Sequence, residues 1–206
     1  MILSNMKIIG LTGGIGTGKS TVSAYLKEKG CVILDADKMS RQLTAPGGAA
    51  LPEIRKTFGN EVFFEDGTLD RKKLGNIVFN DKEKLKELEK LTTEKVVEQT
   101  VDGLVRLRKA GYSGIVIIDA PLLFECNMQV LADESWLVTT DLEVRIERIM
   151  KRDGLDRQSI LDRINNQMSD EEKRVIADYV IDNSGSLEHL YRQIDRLIER
   201  VADDKQ

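Results

Sequence analysis

Short apolar runs that end at glycine or aspartate recur along the chain, and stretches with helical spacing separate them. The first run, residues 7–12 (KIIGLT), enters a glycine cluster at once, as a buried parallel strand does. Residues 19–29 follow with apolar positions at Val22, Tyr25 and Leu26, and Gly30 stands where a helix would stop. A second run at residues 31–34 ends in Asp35-Ala36-Asp37. A third, at 115–118, is preceded by Gly111 and Gly114 and ends at Asp119. Residues 135–138 and 179–181 are the fourth and fifth candidate strands. Alternating strands and helices predict an α/β protein with a mainly parallel sheet flanked by helices.

Two segments interrupt that alternation. Residues 38–110 carry little strand signal. Leu85, Leu88 and Leu91 give helical spacing within 81–95, and Val97, Val101, Leu104 and Val105 continue it. This predicts a helical lobe inserted between two strands. Residues 141–177 are charged and helical, with a break at Asp153-Gly154. The last helix, 187–201, aligns Leu187, Leu190, Ile194, Leu197, Ile198 and Val201 on a face that should pack on the core. One domain results: a core of about 1–37, 111–140 and 178–206, a lobe of about 38–110 and a lid region of about 141–177.

The chain has 206 residues, 41% hydrophobic and 32% charged, enough apolar content for a core and too balanced for a disordered chain. A net charge of −4 argues against coating nucleic acid or an anionic membrane, while leaving room for a small anionic ligand held by local cations. Cys31 and Cys126 form no CxxC, and the single His189 removes His-rich metal sites. Residues 1–12 (MILSNMKIIGLT) show no leader pattern, with Met1 and Met6 both possible starts, and no stretch has the length of a bilayer span. The expectation is a cytoplasmic protein.

The sharpest feature is Gly13-Gly14-Ile15-Gly16-Thr17-Gly18-Lys19-Ser20, a G-x-x-x-x-G-K-[ST] motif after a predicted strand and before a predicted helix. Glycines let successive N–H groups converge on phosphate oxygens, and the helix N-terminus adds its positive dipole end. Lys19 is placed to neutralise β- and γ-phosphates, and the Ser20 hydroxyl to hold Mg²⁺. The alternative is a merely glycine-rich turn. A chance match in this length is on the order of one in a hundred, and the strand-before, helix-after context lowers it further.

Residues 116–119 (VIID) form an apolar strand ending in an acid, the pattern of a carboxylate that binds Mg²⁺ beside a phosphate loop. Alone that pattern also fits a turn or cap. Asp35 and Asp37 fit a carboxylate at an acceptor hydroxyl, while Asp37 also fits a helix N-cap before Met39 and Leu43. Arg145, Arg148 and Arg152 share a helical face, in a stretch that also holds Lys151, Arg157 and Arg163. They either close over a triphosphate or form a solvated face paired with Glu143 and Glu147. His189 reads as surface or structural, Cys31 and Cys126 as buried thiols, and Trp136 and Val138 as sheet core.

No N/T-K-x-D guanine signature is present, and Asp119-Ala120-Pro121-Leu122 stands where a GTPase has D-x-x-G. The chain is short for a helicase or motor core. A small P-loop kinase fits best.

At this point the chain resembles the dephospho-CoA kinase family. The matching stretches include Gly10 through Thr21 around the loop, Asp35-Ala36-Asp37, Asp66-Gly67 with Leu69-Asp70-Arg71, and Leu74 with Val78-Phe79. They continue through Asp119 to Glu125, Arg148 with Arg152-Asp153, Arg163 with Gln167, and Ala177 to Asn183. They span nearly the whole chain in the family's order.

The resemblance implies an adenylate-kinase-like fold whose lobes close and expel water. It implies transfer of the ATP γ-phosphoryl to the ribose 3′-hydroxyl of dephospho-CoA, with Mg²⁺. ATP would lie on Gly14, Ile15, Gly16, Thr17, Gly18, Lys19, Ser20 and Thr21, with Arg148 and Arg152 in the lid and Asn183 near the adenine. Asp37, beside Asp35, would be the base. Arg41 would approach substrate phosphate, and Pro121, Leu122, Leu123, Phe124 and Glu125 would line the acceptor pocket beside Asp119. The family's usual His-Pro pair is replaced by Thr93-Glu94, and Arg145 stands where the family commonly has Gln. Another small-molecule kinase, or a regulator that binds ATP without transferring phosphate, are the competing readings.

Overall fold

The computed structural model describes residues 6–203, so the expectations for residues 1–5 and 204–206, Met1 as a start among them, lie outside the described residues. In chain order the elements are β1 (Lys7–Thr12), α1 (Lys19–Glu28), β2 (Val32–Asp35), α2 (Ala36–Leu43), α3 (Leu51–Phe58), α4 (Arg71–Phe79) and α5 (Lys82–Lys109). They continue with β3 (Ile115–Asp119), β4 (Glu134–Thr139), α6 (Leu142–Asp153), α7 (Arg157–Asn165), α8 (Asp170–Ile176), β5 (Tyr179–Asp182) and α9 (Leu187–Asp203). Short 3₁₀ turns at Asn60–Val62 and Met128–Leu131 carry no sequence period of their own.

The strands form one sheet in the order β2-β3-β1-β4-β5, with β1 parallel to β3 and β4, and β4 parallel to β5. The central strand is apolar along its length because both faces are covered. Ile9, Leu11, Ile117, Trp136, Val138 and Ile181 of the sheet pack with Val22 and Leu26 of α1 and Leu190, Ile194 and Val201 of α9, all fully buried. Each such aliphatic side chain contributes about 1.5–3 kcal/mol by leaving water. The register pairs Leu11 with Asp119, so this packing carries the acid to the end of β1, where the glycine loop begins.

Contacts divide the chain into a sheet unit (up to Leu34 and from Arg106 on) and a helical unit (Asp35–Val105). Within the helical unit, Asp35 and Asp70 cap α2 and α4, their carboxylates accepting from the N–H of Lys38 (2.8 Å) and Lys73 (2.9 Å). The long helix α5 buries Val96, Thr100, Gly103 and Leu104, while Val101 and Val105, which continue the helical spacing in the sequence, are exposed. The Thr100 hydroxyl donates to the Val96 carbonyl at 2.8 Å, which lets a polar residue occupy the inner face. Counting apolar positions alone therefore rotates the face.

Candidate active site

The phosphate loop is held from behind. Thr17 is fully buried, and its hydroxyl donates to the Gly14 carbonyl at 2.9 Å. The Thr17 carbonyl accepts from the Asn183 side-chain amide (2.8 Å) and the Thr140 hydroxyl (2.9 Å). Ile15 gives its N–H to the Gln167 side chain (3.0 Å) and takes Nε of Arg145 on its carbonyl (3.0 Å). Among the described residues no protein acceptor takes the N–H of Gly16, Gly18, Lys19 or Ser20. Unpaired N–H groups at a helix start form an anion seat. Gly16 and Gly18 have φ of 80° and 82°, and a Cβ on Gly18 would lie 2.1 Å from Asn183 Nδ2, so the turn requires glycine there.

Lys19 Nζ contacts Asp119 Oδ1, both side chains largely buried, and Ser20 is exposed at the start of α1. Next to Asp119, the Pro121 carbonyl accepts from the Thr12 hydroxyl at 3.1 Å. Lys173 of α8, fully buried, reaches the same carbonyl at 3.4 Å and pairs with Glu125 at 2.9 Å. Of the stretch assigned to the acceptor, Leu123 and Phe124 are buried, Leu123 reaching under Gly10, while Leu122 is exposed.

The three arginines of α6 do not form one solvated face. Arg145 is buried (4% exposed) and pairs with Asp170 at 3.0 Å. Arg148 is half-buried, donates to the Asn183 carbonyl at 2.9 Å and has Nη1 3.7 Å from where a Cβ on Gly18 would lie. Arg152 is exposed and bidentate to Asp153 (2.7 and 2.9 Å), which lowers the Asp153 carboxyl below its usual range. Glu143, weighed with Glu147 as a partner of that cationic face, pairs with Arg157 at 2.6 Å, and that guanidinium lowers its carboxyl.

In the helical unit, Asp35 is half-buried with one carboxylate oxygen taken as the N-cap of α2. The cap role weighed for Asp37 therefore belongs to Asp35. Asp37 lies exposed in the first turn, and Arg41 is exposed one turn later with no hydrogen bond or ion pair among the described residues. Cys31 is buried, Cys126 only half-buried, and His189 is exposed.

Lys173 is the site-adjacent residue that sequence reasoning missed. It is buried while its neighbours Val175 and Ile176 are exposed at 87% and 45%, an inversion of polarity that no periodicity signals. Among the described residues no cluster of three or more His, Cys, Asp or Glu forms a metal cage. Ser20 and Asp119 nevertheless suit Mg²⁺, which takes one or two protein oxygens and completes its shell with phosphates and water. No helix among the described residues is long and apolar enough to cross a membrane.

A family model described as dephospho-CoA kinase matches residues 7–189. A dephospho-CoA kinase from Carboxydothermus hydrogenoformans is 45% identical over 95% of this chain and 94% of its own length. Among solved structures, TT1252 from Thermus thermophilus superposes with a TM-score of 0.78 at 37% identity, covering 94% of this chain and 97% of that one. A dephospho-CoA kinase from Campylobacter jejuni superposes with a TM-score of 0.71 at 28% identity, covering 98% of this chain and all of that one.

Proposed function

This chain belongs to the dephospho-CoA kinase family, transferring the γ-phosphoryl of ATP to the ribose 3′-hydroxyl of dephospho-CoA to give CoA and ADP, the last step of CoA biosynthesis, and we propose that Lys19, Asp37, Arg148 and Arg152 carry the transfer. The observation that supports this division most directly is the phosphate loop, with its carbonyls braced and its N–H groups at Gly16, Gly18, Lys19 and Ser20 left for phosphate oxygens. Thr21, Ile15 and Gly14 complete the loop's sequence.

Asp37 takes the proton of the acceptor hydroxyl as the new O–P bond forms. Asp35 is the weaker candidate because the α2 N-cap occupies one of its oxygens. Lys19 neutralises the β- and γ-phosphates, and Arg148, anchored on Asn183, lies close enough to Gly18 to meet charge on the transferring group. Arg152 joins it at little cost, since an exposed pair such as Arg152–Asp153 is worth about 0–1 kcal/mol. Asn183 would lie near the adenine, and its amide on the Thr17 carbonyl would also hold the loop in shape. Ser20 and Asp119 would hold Mg²⁺. When bound, Mg²⁺ neutralises the charge shared by the β- and γ-phosphates. Pro121 through Glu125 present the acceptor-side loop next to Asp119, with Leu122 its exposed apolar member. We place the reaction in the cytoplasm, a reading supported by Cys31 and Cys126 standing outside any disulfide.

ADP release with Mg-ATP, compared across dephospho-CoA, nucleosides, nucleotides and shikimate, tests the reading. Turnover dependent on dephospho-CoA, with a product heavier by one phosphate, is expected. Turnover only with another acceptor overturns the substrate assignment, and ATP binding without turnover makes the chain a nucleotide-binding regulator.

A further inference from the structure

Among the described residues three ionisable side chains are buried: Asp119, Arg145 and Lys173. Two of them serve the phosphate loop, Asp119 against Lys19 and Arg145 through the Ile15 carbonyl. Lys173 has no such task. It lies on α8 with no exposed surface, so it meets neither nucleotide nor acceptor directly. Its ammonium reaches the Glu125 carboxylate at 2.9 Å and the Pro121 carbonyl at 3.4 Å. A buried ion pair is a poor device for stability, because apolar side chains of similar volume stabilise as well or better. What the charge adds is placement: an ammonium aims its donors at particular oxygens, and an apolar side chain aims none.

The oxygens it holds belong to one segment. Residues 121–127 form neither helix nor strand. Turn bonds inside the segment, from the Cys126 N–H to the Leu122 carbonyl (2.9 Å) and from the Asn127 N–H to the Phe124 carbonyl (3.0 Å), keep its own shape. At one end Pro121 takes the Thr12 hydroxyl and Lys173, and at the other Glu125 takes Lys173 and no other partner among the described residues. The same helix is tied to the phosphate loop. Asp170, three residues before Lys173 and on the same side of α8, pairs with Arg145 at 3.0 Å, and Arg145 donates to the Ile15 carbonyl at 3.0 Å. Gln167, just ahead of α8, accepts the Ile15 N–H at 3.0 Å. Ser169 and Glu172 close a capping box that holds the first turn of α8 together.

Resting on the kinase reading above, we propose that Lys173 is a positioning residue for the transfer: by way of α8 it sets the 121–125 loop in a fixed place relative to the phosphate loop, so that acceptor and transferring phosphoryl group meet at attack distance. A misplacement of about 1 Å is enough to lower a rate about 10²-fold. The effect falls on the acceptor side, because the phosphate loop keeps Thr17, Asn183 and Gln167 as braces when Lys173 is removed.

Lys173→Met tests this beside Arg174→Met, a control on the same helix whose hydrogen bond to the Thr139 hydroxyl (3.0 Å) ends on β4 and not on the loop. Urea unfolding, KM for ATP, and kcat and KM for dephospho-CoA are measured, with ADP counted against CoA formed. Lys173→Met should unfold near the wild-type urea concentration, keep KM for ATP within about twofold and lose roughly tenfold or more in kcat/KM for dephospho-CoA. Its ADP should exceed its CoA, because water competes better with a misplaced acceptor and carries the γ-phosphoryl away as inorganic phosphate. Arg174→Met should keep the wild-type kcat/KM for dephospho-CoA and one ADP per CoA. A Lys173→Met protein that unfolds, or that raises both KM values alike, makes the charge a structural support and overturns the proposal. A folded Lys173→Met whose dephospho-CoA kinetics stay within about twofold overturns it too, as does an equal loss in Arg174→Met. A wild type silent on dephospho-CoA sinks the kinase reading and the proposal with it.

Discussion

Nζ of Lys19 rests on Oδ1 of Asp119, tying the first turn of α1 to the end of β3. Two groups proposed for phosphate and metal thus hold each other in position, because the Leu11–Asp119 register delivers the acid to the loop. Lys19→Ala should lower kcat by about 10²-fold or more, through loss of charge neutralisation on the transferring group. Asp119→Asn should keep the fold and raise the Mg²⁺ concentration needed for half-maximal rate. Steady-state rates over a Mg²⁺ titration check both. An Asp119→Asn enzyme with the wild-type Mg²⁺ dependence would remove Asp119 from the metal role.

Asp35 and Asp37, indistinguishable as a D-x-D in sequence, should separate by experiment. Asp35 caps α2, so Asp35→Ala should cost about 1 kcal/mol of stability, and Asp35→Ser, still a cap, much less. Asp37→Asn should leave stability and ATP affinity near wild type and lower kcat by roughly 10²–10⁴-fold, the usual contribution of a positioned base. Denaturant melts, ATP titration and turnover on the same samples decide it. If Asp35→Asn rather than Asp37→Asn abolished turnover, the base would be reassigned.

How much of this was legible follows from what kind of signal each part leaves. All five strands could be read because each is a short apolar run with abrupt ends; β1 keeps the bounds read for it, β2 moves on by one residue, and β3, β4 and β5 are one or two residues longer. The phosphate loop was legible because its glycines and Lys19-Ser20 are consecutive. The same runs say nothing of the order β2-β3-β1-β4-β5, which depends on pairing across long separations. Nor did charge counting reveal that Arg145 turns inward, since its partners Ile15 and Asp170 lie 130 and 25 residues away. Lys173 meets Pro121 across 52 residues, and no window of sequence contains that contact.

The Lys173–Glu125 pair should respond asymmetrically to removal of its two ends. Lys173 is fully buried, while the Glu125 side chain keeps 22% of its exposure and can be solvated alone. Lys173→Met removes the buried charge, fills its space and leaves the Pro121 carbonyl bonded to Thr12, so stability should change by about 1 kcal/mol or less. Glu125→Ala strands a buried ammonium with one carbonyl at 3.4 Å, and about 3–5 kcal/mol should be lost. Equal losses in urea unfolding of the two variants would mean that Lys173 is solvated in solution.

Stability against pH should show the pair that ties α1 to α9. Lys29 and Asp195 lie 2.7 Å apart, each side chain more than a third exposed, and the Tyr25 hydroxyl also bonds Asp195. Hydrogen bonding to Asp195 raises the Lys29 ammonium above its usual range, and Lys29 lowers the Asp195 carboxyl. A carboxyl lowered on folding stabilises fully above its ordinary value of 3.8, and that contribution disappears as pH falls through the folded value. An ammonium raised on folding stabilises fully below 10.5 and loses its contribution only as pH rises through a still higher value. The Tm difference between wild type and Asp195→Asn should therefore be constant from about pH 5 to 10, shrink below 3.8, and narrow in high salt because the pair is exposed. A difference that persists unchanged into strong acid would assign the effect of Asp195 to the Tyr25 hydrogen bond instead of its charge.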